Sequence, residues 1–291
     1  PSQRSPSRTT PVRMNPYLLD LPAVISFSGG RTSGYLLRHV LDAFGGQPDD
    51  LVVCFQNTGL EHEKTYDFIA QVSEEWGVDL ISLEYELNSD GKEDYRVVVP
   101  SDYSRNGEPF TQLIRKRNYL PNPVARLCTA NLKIKSLERY LKTLPAFAGD
   151  YTHAIGLRHD EPRRVLRTRG QKGRQDVVCP LYDAQVEKGE VLDWWSKQPF
   201  DLDLPHPSSG NCVGCHLKGR NQLEELMKVM PKHFEWWINA EKIPLSSKPE
   251  GGRFRNDRPS YATMKEILDS QGWLFDPAGP DDETIPCMCT D

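Results

Sequence analysis

Two groups of residues in this sequence have the types and spacing to do chemistry: the run Ser28-Gly29-Gly30-Arg31-Thr32-Ser33, and the cysteines, of which Cys212 and Cys215 form a Cys-x-x-Cys. In the first, the glycines let successive backbone N–H groups converge on an anion, and a helix starting there adds partial positive charge. Ser28, Thr32 and Ser33 can donate hydroxyl hydrogen bonds, and Arg31 can pair with a polyphosphate. The run lacks the Gly-Lys-Ser of a Walker loop and the third spaced glycine of a dinucleotide fingerprint. A Ser-Gly-Gly turn also caps helices for structural reasons alone, so by itself the run leaves both readings open.

The Cys212–Cys215 spacing lets two thiolates reach one metal centre. Taken alone it is equally a zinc half-site, a redox dithiol or two incidental thiols. Cys54 and Cys179 lie in apolar runs and read as core residues. Cys287 and Cys289 follow the acidic run Asp281-Asp282-Glu283. Arg163, Arg164, Arg167, Arg169, Lys172 and Arg174 crowd one segment, which Arg115, Lys116 and Arg117 could extend. Such a segment is either a solvated charged loop or a clamp for a phosphate-bearing partner, nucleic acid included. His159 and His216 form no triad or zinc-helix pattern and are given no catalytic role.

The elements that must position these groups alternate. Residues 23–27 read as a buried strand, and Leu36, Leu37, Val40, Leu41 and Phe44 as the apolar face of the helix after the glycine turn. Strands over 51–55 and 78–85 flank a helix over 63–76, the alternation of a doubly wound, mainly parallel α/β sheet. Residues 88–103 read as a surface loop, 109–117 and 131–144 as helices, 151–157 as a strand, 162–175 as an arginine-rich loop and 177–181 as a short strand. After residue 187, tryptophan pairs at 194–195 and 236–237 and the stripe Leu223, Leu226, Met227, Met230 indicate a helical cap. The expected organisation is a flexible tail over 1–16, a nucleotide-binding α/β domain over 17–186 and the cap over 187–291.

At 291 residues the chain can bury one sizeable core with an appended subdomain. With 37% hydrophobic and 26% charged residues, disorder throughout is excluded. No apolar run reaches the ~18 residues of a membrane span, and residues 1–13 lack the apolar stretch of a secretory signal. A cytoplasmic, non-membrane protein is therefore expected. The net charge of -5 argues against a surface that binds nucleic acid everywhere, though not against a local basic patch. Seven cysteines are too few and too unevenly placed for a disulfide scaffold, so metal, cluster or redox roles come first.

Five segments, in order, carry a family resemblance. The 28–33 run resembles the Ser-Gly-Gly-x-x-Ser pyrophosphate loop (PP-loop) of the adenine nucleotide alpha hydrolase superfamily of ATP pyrophosphatases, in its phosphoadenosine phosphosulfate (PAPS) reductase branch. Asn57-Thr58-Gly59 with Glu61 and Thr65-Tyr66 is similar to that branch's Asp-Thr-Gly segment. Arg126-Leu127-Cys128-Thr129 with Lys133 resembles its Arg-Trp-Cys-Thr to Leu-Lys segment. Gly156-Leu157-Arg158 with Asp160, Glu161 and Arg164 resembles its Gly-Ile-Arg stretch, and Pro180-Leu181 its Pro-Leu/Ile turn.

The resemblance implies that Ser28, Gly29, Gly30, Arg31, Thr32, Ser33, Asn57, Gly59, Gly156 and Arg164 bind the nucleotide, either ATP or a sulfonucleotide (PAPS or APS). Lys133 and Arg158 would neutralise developing charge. Cys128, Cys212 and Cys215 would hold a 4Fe-4S cluster, with zinc as the alternative. Leu127 stands where full-set reductases carry an adjacent cysteine, so the fourth ligand falls to exogenous sulfide or to Cys287 or Cys289. One of these two would also be the sulfur nucleophile. Asn57 replaces an acidic residue, and Mg2+ remains an allowed companion of the nucleotide. Two chemistries follow: sulfonucleotide reduction to sulfite, with a thioredoxin-like electron donor, or ATP-dependent sulfur transfer to a nucleic acid, with a cysteine desulfurase as sulfur donor. A different class, a non-catalytic nucleotide sensor or nucleic-acid-binding partner, keeps the same fold.

Overall fold

The structure, a computed structural model, describes residues 15–169 and 173–270. Its first strand, β1 (Ala23–Ser26), runs through the glycine turn into α1 (Arg31–Phe44). Leu36, Leu37, Val40 and Leu41 are buried on α1, and Gly45 ends it in the left-handed region at φ 74°. Then come β2 (Leu51–Asn57), α2 (Glu63–Trp76), capped at its start by the His62 side chain, and β3 (Leu80–Leu87). An antiparallel β4 (Glu93–Val98) follows, then α3 (Glu108–Arg117), a π-helical turn (Cys128–Lys135) and α4 (Ser136–Leu141). The chain returns through β5 (Tyr151–Ile155), α5 (Pro162–Arg169), β6 (Gln175–Val178), α6 (Pro180–Asp183) and α7 (Lys188–Trp195). The cap contributes α8 (Arg220–Val229), α9 (Glu235–Glu241) and α10 (Tyr261–Ser270).

The sheet order is β4-β3-β2-β1-β5-β6, parallel throughout except for β4. Central strands such as β2 are buried at every position, which is why they read as continuous apolar runs rather than alternating ones. From β1 the chain first winds outward through β2 and β3, then returns to lay β5 on β1's other side. That reversal makes the β1/β5 edge the topological switch point, where an open α/β sheet binds its ligand outside the carboxyl ends of the strands. The fold is thus an α/β, Rossmann-like arrangement, as the alternation indicates.

One face of the sheet packs Ile25, Phe27, Val53 and Phe55 against α1, α2 and Trp195 of α7. The opposite face packs Val24, Val52 and Leu83 against Leu137 and Leu141 of α4. A third cluster, built on Phe234, Trp237, Phe254 and Tyr261, belongs to the cap and reaches back to Phe110 and Leu113 of α3. The α7 segment, read as the start of the cap, therefore lies on the sheet layer.

Three segments differ from the sequence expectation, each for a physical reason. Residues 88–103 contain β4, an edge strand with one neighbour and mostly half-exposed side chains, so it has no apolar alternation to read. The arginine-rich segment is helical over α5, which starts at Pro162 and buries Val165 and Thr168, too few residues to show a stripe. The helix expected over 131–144 begins earlier and is π-wound before α4. Its wider turn is satisfied by Asn131 Nδ2 donating to Leu127 O (2.9 Å) and Ser136 Oγ to Asn131 O (3.0 Å).

Between β1 and its neighbours, buried His153 bridges Ser26 Oγ (2.8 Å from Nε2) and Gln175 Oε1 (3.1 Å from Nδ1). Burial lowers its pKa below the ordinary 6.5, so on acidification the unfolded chain takes up the proton first. Stability is therefore fully present above the ordinary histidine range and declines as the pH falls through it. Urea midpoints measured between pH 8 and 5, as about the accessible window, are expected to fall on the acid side. A His153→Gln variant should lose part of that slope.

Candidate functional site

The glycine turn at the end of β1 is shaped to leave backbone donors open. Gly30 is the N-cap of α1 and no side chain caps the helix, so its first-turn N–H groups point outward without a capping partner. Gly29 sits at φ 75°, and a Cβ there would lie 2.7 Å from Thr65 Cγ2 and 2.9 Å from Ile69 Cδ1, so only glycine fits against α2. Ser33 Oγ donates to Gly30 O (2.9 Å) and accepts from Ser28 N (3.2 Å), with Ser28 Oγ 3.0 Å away. These bonds fix the loop's curvature. Thr65 Oγ1, buried beside Gly29, has no hydrogen-bond partner among the described residues.

Arg31, expected to face a phosphate, is used otherwise. Its guanidinium pairs in fork geometry with Asp201, Nε to Oδ1 at 2.7 Å and Nη2 to Oδ2 at 2.9 Å, and also donates to Leu202 O. Trp195 Nε1 donates to Arg31 O at 2.8 Å. The α7 segment therefore clamps the start of α1 from outside. Asp201 and Trp195 are site residues that the sequence offered no way to find, because they act from some 170 positions downstream.

The loop after β5 closes the other side. Gly156 lies against the loop, where a Cβ would meet Ser33 Cα at 3.4 Å. Arg158, buried at 8% exposure, donates from Nη1 to Thr32 Oγ1 (3.0 Å) and pairs with Asp160 (3.0 Å). Glu161 accepts from Arg158 N and pairs with Arg164, making Arg164 an anchor of this turn. The chain thus brings residues 28–33, Gly156, Arg158 and Arg164 to one edge. On α5, Arg163 and Arg167 are exposed, take part in no ion pair among the described residues, and flank Leu166, which is 74% exposed.

Asn57 uses its whole hydrogen-bonding capacity inside the protein. Nδ2 donates to Glu84 Oε1 (2.6 Å) and Ser104 O (3.0 Å), while Oδ1 accepts from Gly59 N (2.9 Å) and Tyr66 OH (3.0 Å). It shapes the 57–61 loop rather than presenting a group to solvent. Gly59, at φ 77°, packs against the backbone of Gly107.

That loop meets the cysteine turn directly. Buried Glu61 accepts from Thr58 N, Leu60 N and Thr58 Oγ1 (2.8 Å). Cys212 Sγ lies 3.1 Å from Thr58 Oγ1 and donates to Glu61 Oε1 across 3.8 Å. A backbone bridge pairs Glu61 with Cys212, and Val213 N donates to Leu60 O (2.9 Å).

The turn itself is held by its carbonyls. Lys218 Nζ donates to those of Gly210, Cys212 and Val213, Tyr261 OH to Gly214, and Arg258 to His216 and Lys218. Cys128, first residue of the π-helical turn, packs on the same cluster as Cys212 and Cys215. In i→i+5 winding, Lys133 lies one turn from Cys128. Next to Cys215, His216 is fully buried with both ring nitrogens unpartnered among the described residues. Burial first, then Arg258, Arg126 and Arg255, lower its pKa to about 3, so the ring stays neutral. Three thiols are a donor set of the kind that iron or zinc takes. Among the described residues, however, no three His, Cys, Asp or Glu side chains form a metal-ligand set. Cys287, Cys289 and Lys172 lie outside the described residues. No described helix is long and apolar enough to cross a membrane.

Comparison with known proteins agrees with the fold. Residues 22–197 match the family model of the phosphoadenosine phosphosulfate reductase domain. An uncharacterized nin region protein, ORF290, of Escherichia phage lambda is 34% identical over 205 residues, covering 69% of this chain and 67% of that one. Two uncharacterized proteins of Methanocaldococcus jannaschii are 22% identical over 228 and 260 residues, covering 75% and 84% of this chain but 41% and 55% of theirs.

Two substitutions test the loop. Gly29→Ala places a Cβ in a left-handed conformation against α2, and is expected to cost about 1–3 kcal/mol in urea unfolding and to abolish ATP binding measured by calorimetry. Asp201→Asn releases Arg31 at a half-exposed pair and should change stability by under about 1 kcal/mol while weakening ATP binding several-fold. Tighter binding would instead make Arg31 a direct phosphate ligand.

Proposed function

The chain belongs to the phosphoadenosine phosphosulfate reductase domain family, and from that membership we propose that it is a PP-loop-type enzyme that uses ATP to activate a nucleic-acid acceptor for sulfur transfer. The observation that carries this reading is the contact between the loop after β2 and the cysteine turn, at the same sheet edge as the open N-terminus of α1. It joins a place for phosphate to a place for sulfur.

In this reading the N–H groups at residues 29–33 hold the polyphosphate, with any Mg2+ carried on the nucleotide, because Asn57 has no hydrogen-bonding position left. An acceptor oxygen attacks the α-phosphorus, the bond to the β-phosphate oxygen breaks, and pyrophosphate leaves. Arg158, held beside Thr32, and Lys133 offset the charge that develops. Sulfide, released when a thiol reductant cleaves the S–S bond of a cysteine desulfurase's persulfide and is itself oxidised to a disulfide, then forms a bond to the activated carbon as AMP departs with the former acceptor oxygen. Cys128, Cys212 and Cys215 are the residues that would hold a 4Fe-4S cluster or zinc, and the group would supply a binding site for sulfur. Arg163, Arg167 and Leu166 on α5 present a cationic, partly apolar surface to the acceptor's backbone.

ATP and the sulfonucleotide are to be offered separately to protein purified without oxygen, with pyrophosphate and sulfite measured. Pyrophosphate release from ATP, stimulated by added RNA or DNA and reduced in an Arg163→Ala/Arg167→Ala variant, is expected. Sulfite from the sulfonucleotide, with no pyrophosphate, would move the assignment to reduction, in which Cys287 or Cys289 attacks sulfur. Full activity in a Cys212→Ser/Cys215→Ser variant would remove the cysteines from the chemistry, and absence of any turnover with intact nucleotide binding would make the chain a sensor.

A further inference from the structure

The cap carries a second charged feature that shares no residue with the nucleotide edge. A cleft of about 540 Å³ opens between the end of α9, the segment 248–256 and the start of α10. Lys242, Lys248 and Arg253 line it, joined by the polar side chains of Asn256 and Ser260. All three cations are exposed, and none takes part in an ion pair among the described residues. Of the two acids that line the cleft among the described residues, Glu250 is exposed. The other, Glu241, is buried and turned inward, accepting from Phe254 N (3.2 Å) and Tyr261 N (2.9 Å). In a chain of net charge -5, this is a local concentration of positive potential.

The cleft is also a built feature rather than a set of lysines on a loose loop. Leu245 and Lys248 exchange both backbone hydrogen bonds, at 3.0 and 2.9 Å, and Gly251 N donates to Lys248 O at 2.9 Å. Gly252 N donates to Glu241 O at 2.8 Å. Gly251 sits at φ 99°, where any Cβ would overlap Glu241 O, so the chain must be glycine there to fold over the end of α9. Glu241 therefore staples the segment at its backbone carbonyl and its carboxyl group together. The three cations project from a fixed frame, which lowers the ordering cost of using them together.

We propose that this cleft is a second anion site, recognising a phosphate group through Lys242, Lys248 and Arg253. Asn256 and Ser260 supply neutral donors to the remaining phosphate oxygens. Among the described residues no aromatic side chain lines the cleft, so the recognition argued here falls on the phosphate. Phe254 and Tyr261, which both donate backbone N–H groups to Glu241 of the cleft, are in ring contact, and Tyr261 OH donates to Gly214 O of the cysteine turn (2.7 Å).

The test is a titration of the full chain with inorganic phosphate at constant ionic strength, followed by amide NMR of Gly251, Gly252 and Asn256. These amides report the cap and not the nucleotide edge. Saturable shifts in the low-millimolar range or tighter, abolished in a Lys242→Ala/Lys248→Ala/Arg253→Ala variant of unchanged thermal midpoint, are expected. Shifts that never saturate, or that persist in the triple variant, overturn the proposal. A fluorescein-labelled single-stranded oligonucleotide then separates the sources of phosphate. If the triple variant binds it at least about tenfold more weakly at low salt, the ligand is a nucleic-acid backbone. If oligonucleotide binding is unchanged while the phosphate shifts are lost, the site takes a small phosphorylated molecule.

Discussion

The buried carboxyl group of Glu61 is the joint on which the candidate site depends. It closes the loop after β2 by accepting from Thr58 and Leu60, and it reaches Cys212 across the only backbone bridge that links a sheet loop to the cysteine turn among the described residues. A carboxyl group taken out of water must have its acceptor positions filled, and here they are filled by groups from both segments. Each segment is therefore fixed by the other. Two stretches some 150 positions apart in sequence are held together by one group neither can leave unsatisfied.

Two further constraints act in the same direction. The start of α1 is kept open by Gly30 in the cap position and held in place by Arg31 on Asp201 and by Trp195 on Arg31 O. On the far side, Arg158 ties Thr32 to the turn after β5. The donors of the loop are thus placed before any ligand arrives, which is the arrangement that makes electrostatic stabilisation effective. Around the cysteines the logic is similar: carbonyls of the turn are held by Lys218, Tyr261 and Arg258, while cations gather around a neutral, buried His216.

Much of this was legible in the residues. Continuous apolar runs for β1, β2 and β5 and the α1 stripe indicated the mainly parallel sheet, and the glycine turn lies where a strand meets a helix, whereas the strand order that makes the switch point was not legible. What was not legible depended on long-range contacts. Edge strand β4 and helix α5 bury too little to leave a pattern, and the π-winding at Cys128 depends on Asn131 and Ser136 satisfying a widened turn. Arg31 next to two glycines looks like a phosphate ligand. Its partner Asp201 is visible only once α7 is laid against α1. Asn57 likewise appears from its position to be a ligand-facing residue, yet Glu84, Ser104, Gly59 and Tyr66 occupy it fully.

That the glycine loop and the cysteine turn serve one pocket is tested most directly by hydrogen–deuterium exchange with and without ATP. Slower exchange in residues 28–34 together with residues 209–218 is the expected result, since a ligand that reaches from the start of α1 to the loop after β2 should stiffen the cysteine turn that Glu61 couples to that loop. Slowing confined to residues 28–34, with the cysteine turn unchanged at saturating ATP, would show that the two segments are neighbours in the fold without sharing a site.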